Sequence, residues 1–422
     1  MNADREPTVA GTVTECETTE GNVTVRTTHP GGNGRVLAVA GDTIRLEPET
    51  RDSTRRWFYW YVDLESDATQ SLRVEFPTDE VIGPRGPAVR TENPCGGPIG
   101  DGAWDEWHWL GSEHRIDATA FRYSFEADKR VQFALSVPYQ RADFDAFAFE
   151  YESNPKLTVE TLTTTPSGRD VPVARLGPPD ADRHVALAAR HHACESTASY
   201  VLEGVLRGLL ERENERRGGT PSTGTSLLET HRIHIYPFGD LDGVERGDPG
   251  KHRAPHDHNR DYVDSNGITE LEPLYPTTAA IAADLRALDS LTLALDLHCP
   301  HKWGGDINDR PFFVTDPETA SERLRRLAAG LEEATLEHRD SSAANDPTLT
   351  FDAAPGVGLA SFDGQSGLLH TFARYCSRLG ADPAVALEVP YVGTARDPAT
   401  PQTARQFGRG LAVTLRWSLT AS

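Results

Sequence analysis

Lysine is nearly missing from this 422-residue chain. Of its 42 basic residues only four are lysine (Lys129, Lys156, Lys251 and Lys302) and 38 are arginine, set against 64 acidic residues. The net charge of −22 creates a long-range negative field that disfavours nucleic acid and anionic membrane as partners. An acidic, lysine-poor surface suits a high-salt cytoplasm with its short screening length, a better explanation than a surface shaped for a basic substrate. Cysteine is scarce too: Cys16, Cys95, Cys194, Cys299 and Cys376 are odd in number and unpaired in spacing. A disulfide framework or a cysteine-type zinc module is therefore not expected. No apolar run approaches the ~20 residues needed to span a bilayer. Met1 to Glu20 has neither the basic nor the apolar part of a secretory signal, so a soluble, cytoplasmic protein is expected.

What is present is enough to build cores: 37% hydrophobic and 8% aromatic residues, in a length that suggests two domains. Up to about residue 155, aromatic and β-branched segments recur between turn signals, at Val23–Thr27, Trp57–Val62, Ser71–Phe76, Ala120–Phe125 and Val131–Pro138. Gly/Pro clusters at 83–87 and 93–98 punctuate them, and no long helical period appears, which predicts an N-terminal β-sandwich over 1–155. From residue 156 to 422 the texture becomes alternating strand and helix. Short apolar runs at His184–Ala189, Ile233–Tyr236, Leu291–Leu297 and Val385–Val389 read as buried strands. Helical spacing follows Ser196 or Thr197 and recurs at Thr277–Leu288, Ala320–Glu337 and Thr403–Leu419. That alternation predicts an α/β domain with helices on both faces of its sheet. Glu211–Ser226 and Arg339–Thr348 read as surface loops.

Three polar elements each follow a buried strand. Arg190-His191-His192-Ala193-Cys194-Glu195 follows the first, His298 the third and Glu388 the fourth. Ligands collect at the carboxyl ends of strands in such sheets, so these places can converge. A His-x-x-Glu pair aims a nitrogen and an oxygen at one point, and a distant histidine completes a three-ligand set that leaves a position for water. His192 and Glu195 have that spacing, and His298 directly follows its strand. His191 and His301 are the competing ligands. Two imidazoles and a carboxylate suit zinc better than magnesium. A His-x-x-Glu alone is equally well a surface ion pair at a helix start, and Cys194 and Cys299 read as small buried space-fillers.

A further stretch makes the pattern specific: Pro237-Phe238-Gly239-Asp240-Leu241-Asp242-Gly243-Val244, then Arg253, then Asp257-His258-Asn259-Arg260-Asp261-Tyr262. Taken in order with His-x-x-Glu, a strand-end His and a strand-end Glu, it resembles the M14 metallocarboxypeptidases. The N-terminal region, with Trp57-Phe58-Tyr59-Trp60 and Phe133 to Tyr139, is similar to the domain before the catalytic unit of cytosolic carboxypeptidases. The resemblance implies a mixed sheet covered by helices and one Zn²⁺ held by His192, Glu195 and His298. It implies Glu388 as the carboxylate that deprotonates the activated water, and Asn259 and Arg260 as the clamp on the substrate's terminal carboxylate. Arg253 would stabilise the oxyanion, and Asp257 would hydrogen-bond the first histidine. A guanidinium takes a carboxylate bidentately, and a carboxylate behind a ligand histidine fixes its tautomer, so these roles are physically sensible.

Three departures stand out. Ala193-Cys194 replaces the usual Pro-Gly, and Asp240-Leu241-Asp242-Gly243 replaces Asn-Pro-Asp-Gly. The family's mobile tyrosine has no clear match, Tyr375 being the available candidate. The expected partner is a peptide or protein C-terminus. The alternatives are a zinc deacylase of the aspartoacylase or succinylglutamate-desuccinylase type and an inactive peptide-binding module. Arg374 could favour an acidic side chain, but a solvated arginine is the plainer reading.

Overall fold

The computed structural model describes residues 17–55, 58–92, 104–218, 226–263, 272–305, 307–341, 347–360 and 370–420. The N-terminal strands are β1 (Glu17–Glu20), β2 (Val23–Arg26), β3 (Arg35–Ala40), β4 (Thr43–Glu47), β5 (Tyr61–Ser66), β6 (Gln70–Glu75), β7 (Ala88–Thr91), β8 (His108–Trp109), β9 (Ala120–Phe125) and β10 (Lys129–Ala134). They form a six-stranded sheet, β1-β2-β5-β10-β7-β8, and a four-stranded one, β3-β4-β6-β9. Alternation decides which side chains meet between them. Ile44 and Leu46 of β4 and Leu72 and Val74 of β6 are buried, whereas Arg45 turns outward to pair with Glu75. Phe133 of β10 reaches across to Phe121, Tyr123 and Phe125 of β9, with ring centroids 5.0, 5.1 and 6.3 Å away. The expected sandwich is present. Trp57, Cys16, Cys95 and the 93–98 cluster lie outside the described residues.

The second sheet is mixed. Its strands are β11 (Leu157–Thr164), β12 (Asp170–Leu176), β13 (His184–Ala189), β14 (Arg232–Tyr236), β15 (Leu291–His298), β16 (Phe312–Val314), β17 (Leu359–Ala360) and β18 (Ala384–Glu388). Their order is β11-β12-β14-β13-β15-β18-β16-β17, with β14, β13, β15 and β18 parallel. The helices are α1 (Arg141–Glu150), α2 (Ser196–Gly218), α3 (Leu227–Thr230), α4 (Leu241–Arg246), α5 (Pro276–Arg286), α6 (Glu322–Ser341), α7 (Phe372–Arg378) and α8 (Pro401–Thr420). Every residue of β13 is buried, because successive side chains feed opposite cores. Val185, Leu187 and Ala189 join the core with Val201, Leu206, Phe407 and Leu411 of α2 and α8. Ala186 and Ala188 join Ile281, Phe372 and Tyr375 of α5 and α7 on the other face. α2 and α8 approach closely at glycines: a Cβ on Gly204 would lie 2.1 Å from Arg405 O, and one on Gly408 would lie 2.1 Å from Val201 O.

Three local expectations change. α1 is a helix inside the stretch read as β-rich, and its Phe144 packs on Phe238 of the α/β region at 6.0 Å. α2 continues to Gly218, through much of the segment read as a loop from Glu211, because its Glu and Arg residues are good helix formers. α6 likewise runs to Ser341, past the expected break at Arg339. No described helix is long and apolar enough to cross a membrane. Among the described residues, Cys194, Cys299 and Cys376 are buried and form no disulfide.

Candidate metal centre

β13 ends at Ala189, and the chain then reverses through Arg190, whose φ of 59° lies in the left-handed region. The buried Arg190 guanidinium holds this turn together. Its Nε donates to Ala193 O at 3.0 Å, and its NH1 donates to Tyr139 O at 2.6 Å and to Ser199 Oγ at 3.2 Å. The turn sends consecutive histidines in different directions. His191 goes down into the core, its Nδ1 2.7 Å from Asp296 Oδ1 and its Nε2 2.6 Å from Tyr262 OH. His192 faces upward with Glu195, their Nδ1 and Oε1 atoms 3.0 Å apart. β15 delivers the third group at its last residue: His298 Nδ1 lies 2.7 Å from the other oxygen, Glu195 Oε2. The parallel register of β15 and β18 sets His298 directly beside Glu388.

The donor atoms of His192, Glu195 and His298 lie within 4.8 Å of one another. Two imidazole nitrogens and a carboxylate are a fitting zinc set. His191, Asp296 and His298 form a second group of the same size, but both nitrogens of His191 are engaged by Asp296 and Tyr262. Asp296 instead supports the ligand, its Oδ2 being 2.7 Å from His298 Nε2. Asp257 stands behind His192, with Oδ1 3.6 Å from Nε2, an ion-pair distance longer than a hydrogen bond.

The centre's electrostatics suit a cation. Burial pushes the Glu195 carboxyl up, yet His192, Lys251 and His298 outweigh it and hold it well below the usual range. Burial disfavours a charged His298, but Asp296 and Glu195 outweigh that effect, and the field that would favour a proton there also favours a metal ion. Glu388 differs. Burial raises its carboxyl to about 7, against a pull from His298 and with a push from Glu195, and its Oε2 is buried without a hydrogen-bond partner.

A cavity of about 920 Å³ opens over these groups, bordered by His192, His298, Glu388, Asn259, Arg260 and Lys251. Arg260 donates from NH1 to Asn259 O at 2.8 Å. Asn259 is anchored at both ends of its amide, with Nδ2 2.9 Å from His298 Nε2 and Oδ1 accepting from Phe372 N at 3.0 Å. Arg374, exposed, also borders the cavity, as does His301. Arg253 does not reach it. Its guanidinium is buried against Asp52, 2.7 Å from Asp240 Oδ2 and 3.6 Å from Asp248 Oδ2. Tyr375 is buried in the core below the sheet, its hydroxyl donating to Ala282 O at 3.0 Å.

Sequence reasoning missed Lys251 and Asp296. Asp296 was within reach: it stands two residues before His298 on one strand, hence on the same face, inside an otherwise apolar run. Lys251 carried no such signal beyond being one of four lysines.

The family model described as zinc carboxypeptidase (peptidase M14) matches residues 146–277, which carry the His-x-x-Glu turn and the 257–262 segment. Over that segment the chain is similar to the M14 zinc carboxypeptidases. The chain is 24% identical over 264 residues to cytosolic carboxypeptidase 6 of Caenorhabditis elegans, covering 57% of this chain and 54% of that protein. The chain spans about half the length of the curated relatives it matches. Among solved structures, a metallo-carboxypeptidase from Burkholderia cenocepacia shares the fold at a TM-score of 0.70 and 16% identity, over 94% of this chain and 99% of that one. A metallo-carboxypeptidase from Pseudomonas aeruginosa, solved with (2-guanidinoethylmercapto)succinic acid, does so at 0.65 and 17%, over 93% and 98%. The fold shared with these structures therefore extends to the N-terminal sandwich as well as to the site-bearing sheet.

Proposed function

We propose that this protein is a zinc-dependent carboxypeptidase that hydrolyses the last peptide bond of peptides or proteins, using one zinc ion held by His192, Glu195 and His298. The observation that carries the reading is the meeting of that ligand set with a second carboxyl, Glu388, and a guanidinium, Arg260, around one cavity. Zinc in this set supplies Lewis acidity that activates water and polarises a carbonyl. The remaining work falls to the chain itself. Glu388 takes the proton of the attacking water, and a carboxyl near pH 7 is well matched to accept and return it. Arg260 receives the terminal carboxylate, because a guanidinium presents its donors as a fork that fits one. Asn259, held beside it by the Phe372 N–H, lines the same wall of the cavity. Asp257 and Asp296 orient the two ligand imidazoles from behind.

The division of labour we propose places a supporting sandwich at 1–155 and the catalytic unit at 156–422. A cytoplasmic location belongs to the same reading, in keeping with the name of the Caenorhabditis elegans relative. The test is elemental analysis of the purified protein, followed by mass spectrometry of peptide and N-acyl amino-acid panels after incubation. About one zinc per chain and loss of single C-terminal residues are expected, both absent or strongly reduced where Glu388→Gln or chelation intervenes. Absence of zinc together with equal activity of Glu388→Gln overturns the reading. Cleavage of acetylated or succinylated amino acids alone would transfer the protein to the deacylases, and peptide binding without turnover would make it a binding module.

A further inference from the structure

We infer that Lys251, not Arg253, is the cation that meets the anionic oxygen of the scissile carbonyl, and that Arg253 is a structural residue. The inference rests on the proposed peptidase reading. Two cations stand in the same loop, six and four residues before Asp257, and the fold sends them to different places.

Lys251 is brought to the metal centre by backbone contacts. Cys194 N donates to Pro249 O at 3.3 Å, docking the loop on the turn that carries the ligands. Gly250 follows with φ 74°, and a Cβ there would lie 2.3 Å from Ala193 N, so only glycine allows this approach. The Lys251 ammonium then contacts Glu195 Oε1 and donates to Cys299 O at 3.3 Å, on the cavity wall shared with His192, His298 and Glu388. Just past it His252 adopts φ 55° and the chain turns away. Arg253 ends in the cluster of Asp52, Asp240 and Asp248, with NH1 2.6 Å from His258 Nδ1, and borders no part of the cavity. Three carboxylates, Asp52, Asp240 and Asp248, match its charge.

The chemistry needs a cation where Lys251 lies. As water adds to the scissile carbonyl, its oxygen bonds to the carbonyl carbon, a proton passes to Glu388, and the C=O π pair moves onto oxygen. That oxygen carries a full negative charge only in the tetrahedral state, so a donor facing it stabilises that state more than the substrate. With the Glu195 carboxylate shared with a divalent cation, the ammonium on the same wall can turn its donors to the new anion. Collapse breaks the C–N bond, and Glu388 returns the proton to the leaving amine.

The test compares zinc-loaded wild type with Lys251→Met and Lys251→Arg. For each, kcat and KM are measured on an N-blocked dipeptide, zinc content by mass spectrometry, and calorimetric affinity for a phosphonate dipeptide against the N-blocked product acid. For Lys251→Met we expect kcat to fall 10²–10³-fold with KM within about threefold, as for loss of one oxyanion donor. Phosphonate affinity should fall in parallel, product affinity and zinc content should hold, and Lys251→Arg should recover part of the loss. Should Lys251→Met not fold, Lys251→Gln, which keeps a donor for Cys299 O, carries the same expectation. A variant that keeps its kcat, or that loses zinc with an unchanged phosphonate-to-product ratio, makes Lys251 a mere ion-pair partner of Glu195 and overturns the inference alone. A zinc-loaded wild type that cleaves no C-terminus overturns the peptidase reading, and this inference with it.

Discussion

Arg253→Met should unfold this protein several degrees early, and by an amount that depends on pH in a defined direction. The guanidinium is buried among three carboxylates from separate parts of the chain: Asp52 from the N-terminal region, Asp240 at the start of α4 and Asp248 just beyond it. Removing one partner of a buried ion pair costs about 3–5 kcal/mol, because the remaining charge is left without compensation. At roughly 2.1 cal/mol/K of unfolding entropy per residue over 422 residues, each kcal/mol is worth about 1 °C, so Tm should fall by about 3–5 °C. The pH dependence follows from Asp52. Burial raises its carboxyl to about 6 despite Arg253, with Asp248 and Asp240 pushing the same way. Because its folded value is above the unfolded one, the folded state binds the extra proton, and stability from this group grows as pH falls from above 6 toward about 4. Without Arg253 the carboxyl rises further, so the variant's deficit should be larger at pH 8 than at pH 5. Asp52→Asn in the Arg253→Met background should restore part of the loss. Thermal unfolding followed by circular dichroism at both pH values checks this. A variant that melts with wild type, or whose deficit is the same at pH 5 and pH 8, refutes the reasoning.

Five other outcomes are expected. Glu388→Gln should lower kcat by about 10²–10⁴ with KM little changed, the usual cost of removing a general base. In wild type kcat/KM should fall on acidification with an apparent pKa at or below the 7 that burial sets, since a bound metal cation favours the ionised carboxylate. Gly250→Ala should cost about 1–2 kcal/mol in left-handed strain and displace the ligand turn through Ala193 N, weakening zinc at least about tenfold in a chelator competition. His258, buried and lowered to about 3 by burial and then Arg253 against the pull of Asp240, should make the fold lose stability as pH drops below about 6.5. Its folded value is below the unfolded one, so that contribution, up to roughly 5 kcal/mol, should be absent in His258→Asn, as acid titration of urea midpoints would read. Phe58→Ala should cost about 3–5 kcal/mol, since the ring is 6% exposed and wedged edge-on against His301 and Tyr391.

The strands that build the site were legible because each is a short apolar run between polar ends, and a buried parallel strand has few other ways to be written. His298 and Glu388 follow from that alone: each is the last residue of its strand, and the parallel register sets them side by side. The His192–Glu195 spacing added the third element. Arg253 and Lys251 were not separable in the same way. Nothing in Gly250-Lys251-His252-Arg253 reveals that left-handed residues at 250 and 252 will send one cation to the cavity and the other to an acidic cluster. That choice is made by long-range contacts, with Ala193 on one side and Asp52 on the other. Tyr375 shows the same limit. Its sequence position before Glu388 suits a mobile cavity residue, but α7 turns it into the lower core. Helix ends were misjudged where Glu/Arg runs extend α2 and α6, since such runs suit either a loop or a helix.

The contacts of Asp52 and Phe58 bear on what the N-terminal sandwich is for. Were it an independent module, its contacts with the site-bearing sheet would be few and peripheral. Instead its core is continuous with that of the catalytic region, and three of its residues reach the site's supports. Asp52 pairs with Arg253, Lys302 Nζ donates to Glu80 O at 2.5 Å, and Phe58 packs on Tyr391, whose hydroxyl is 3.3 Å from Cys194 Sγ. Cys194 lies between His192 and Glu195, so this last chain of contacts runs from the sandwich into the ligand turn itself. Ala193-Cys194 of the turn is held from outside: by Arg190 from below, by the Pro249–Gly250 loop from one side and by Tyr391 from the other. The turn's rigidity is distributed over contacts that the sandwich helps to fix. On that argument the sandwich helps to hold the turn that carries His192 and Glu195.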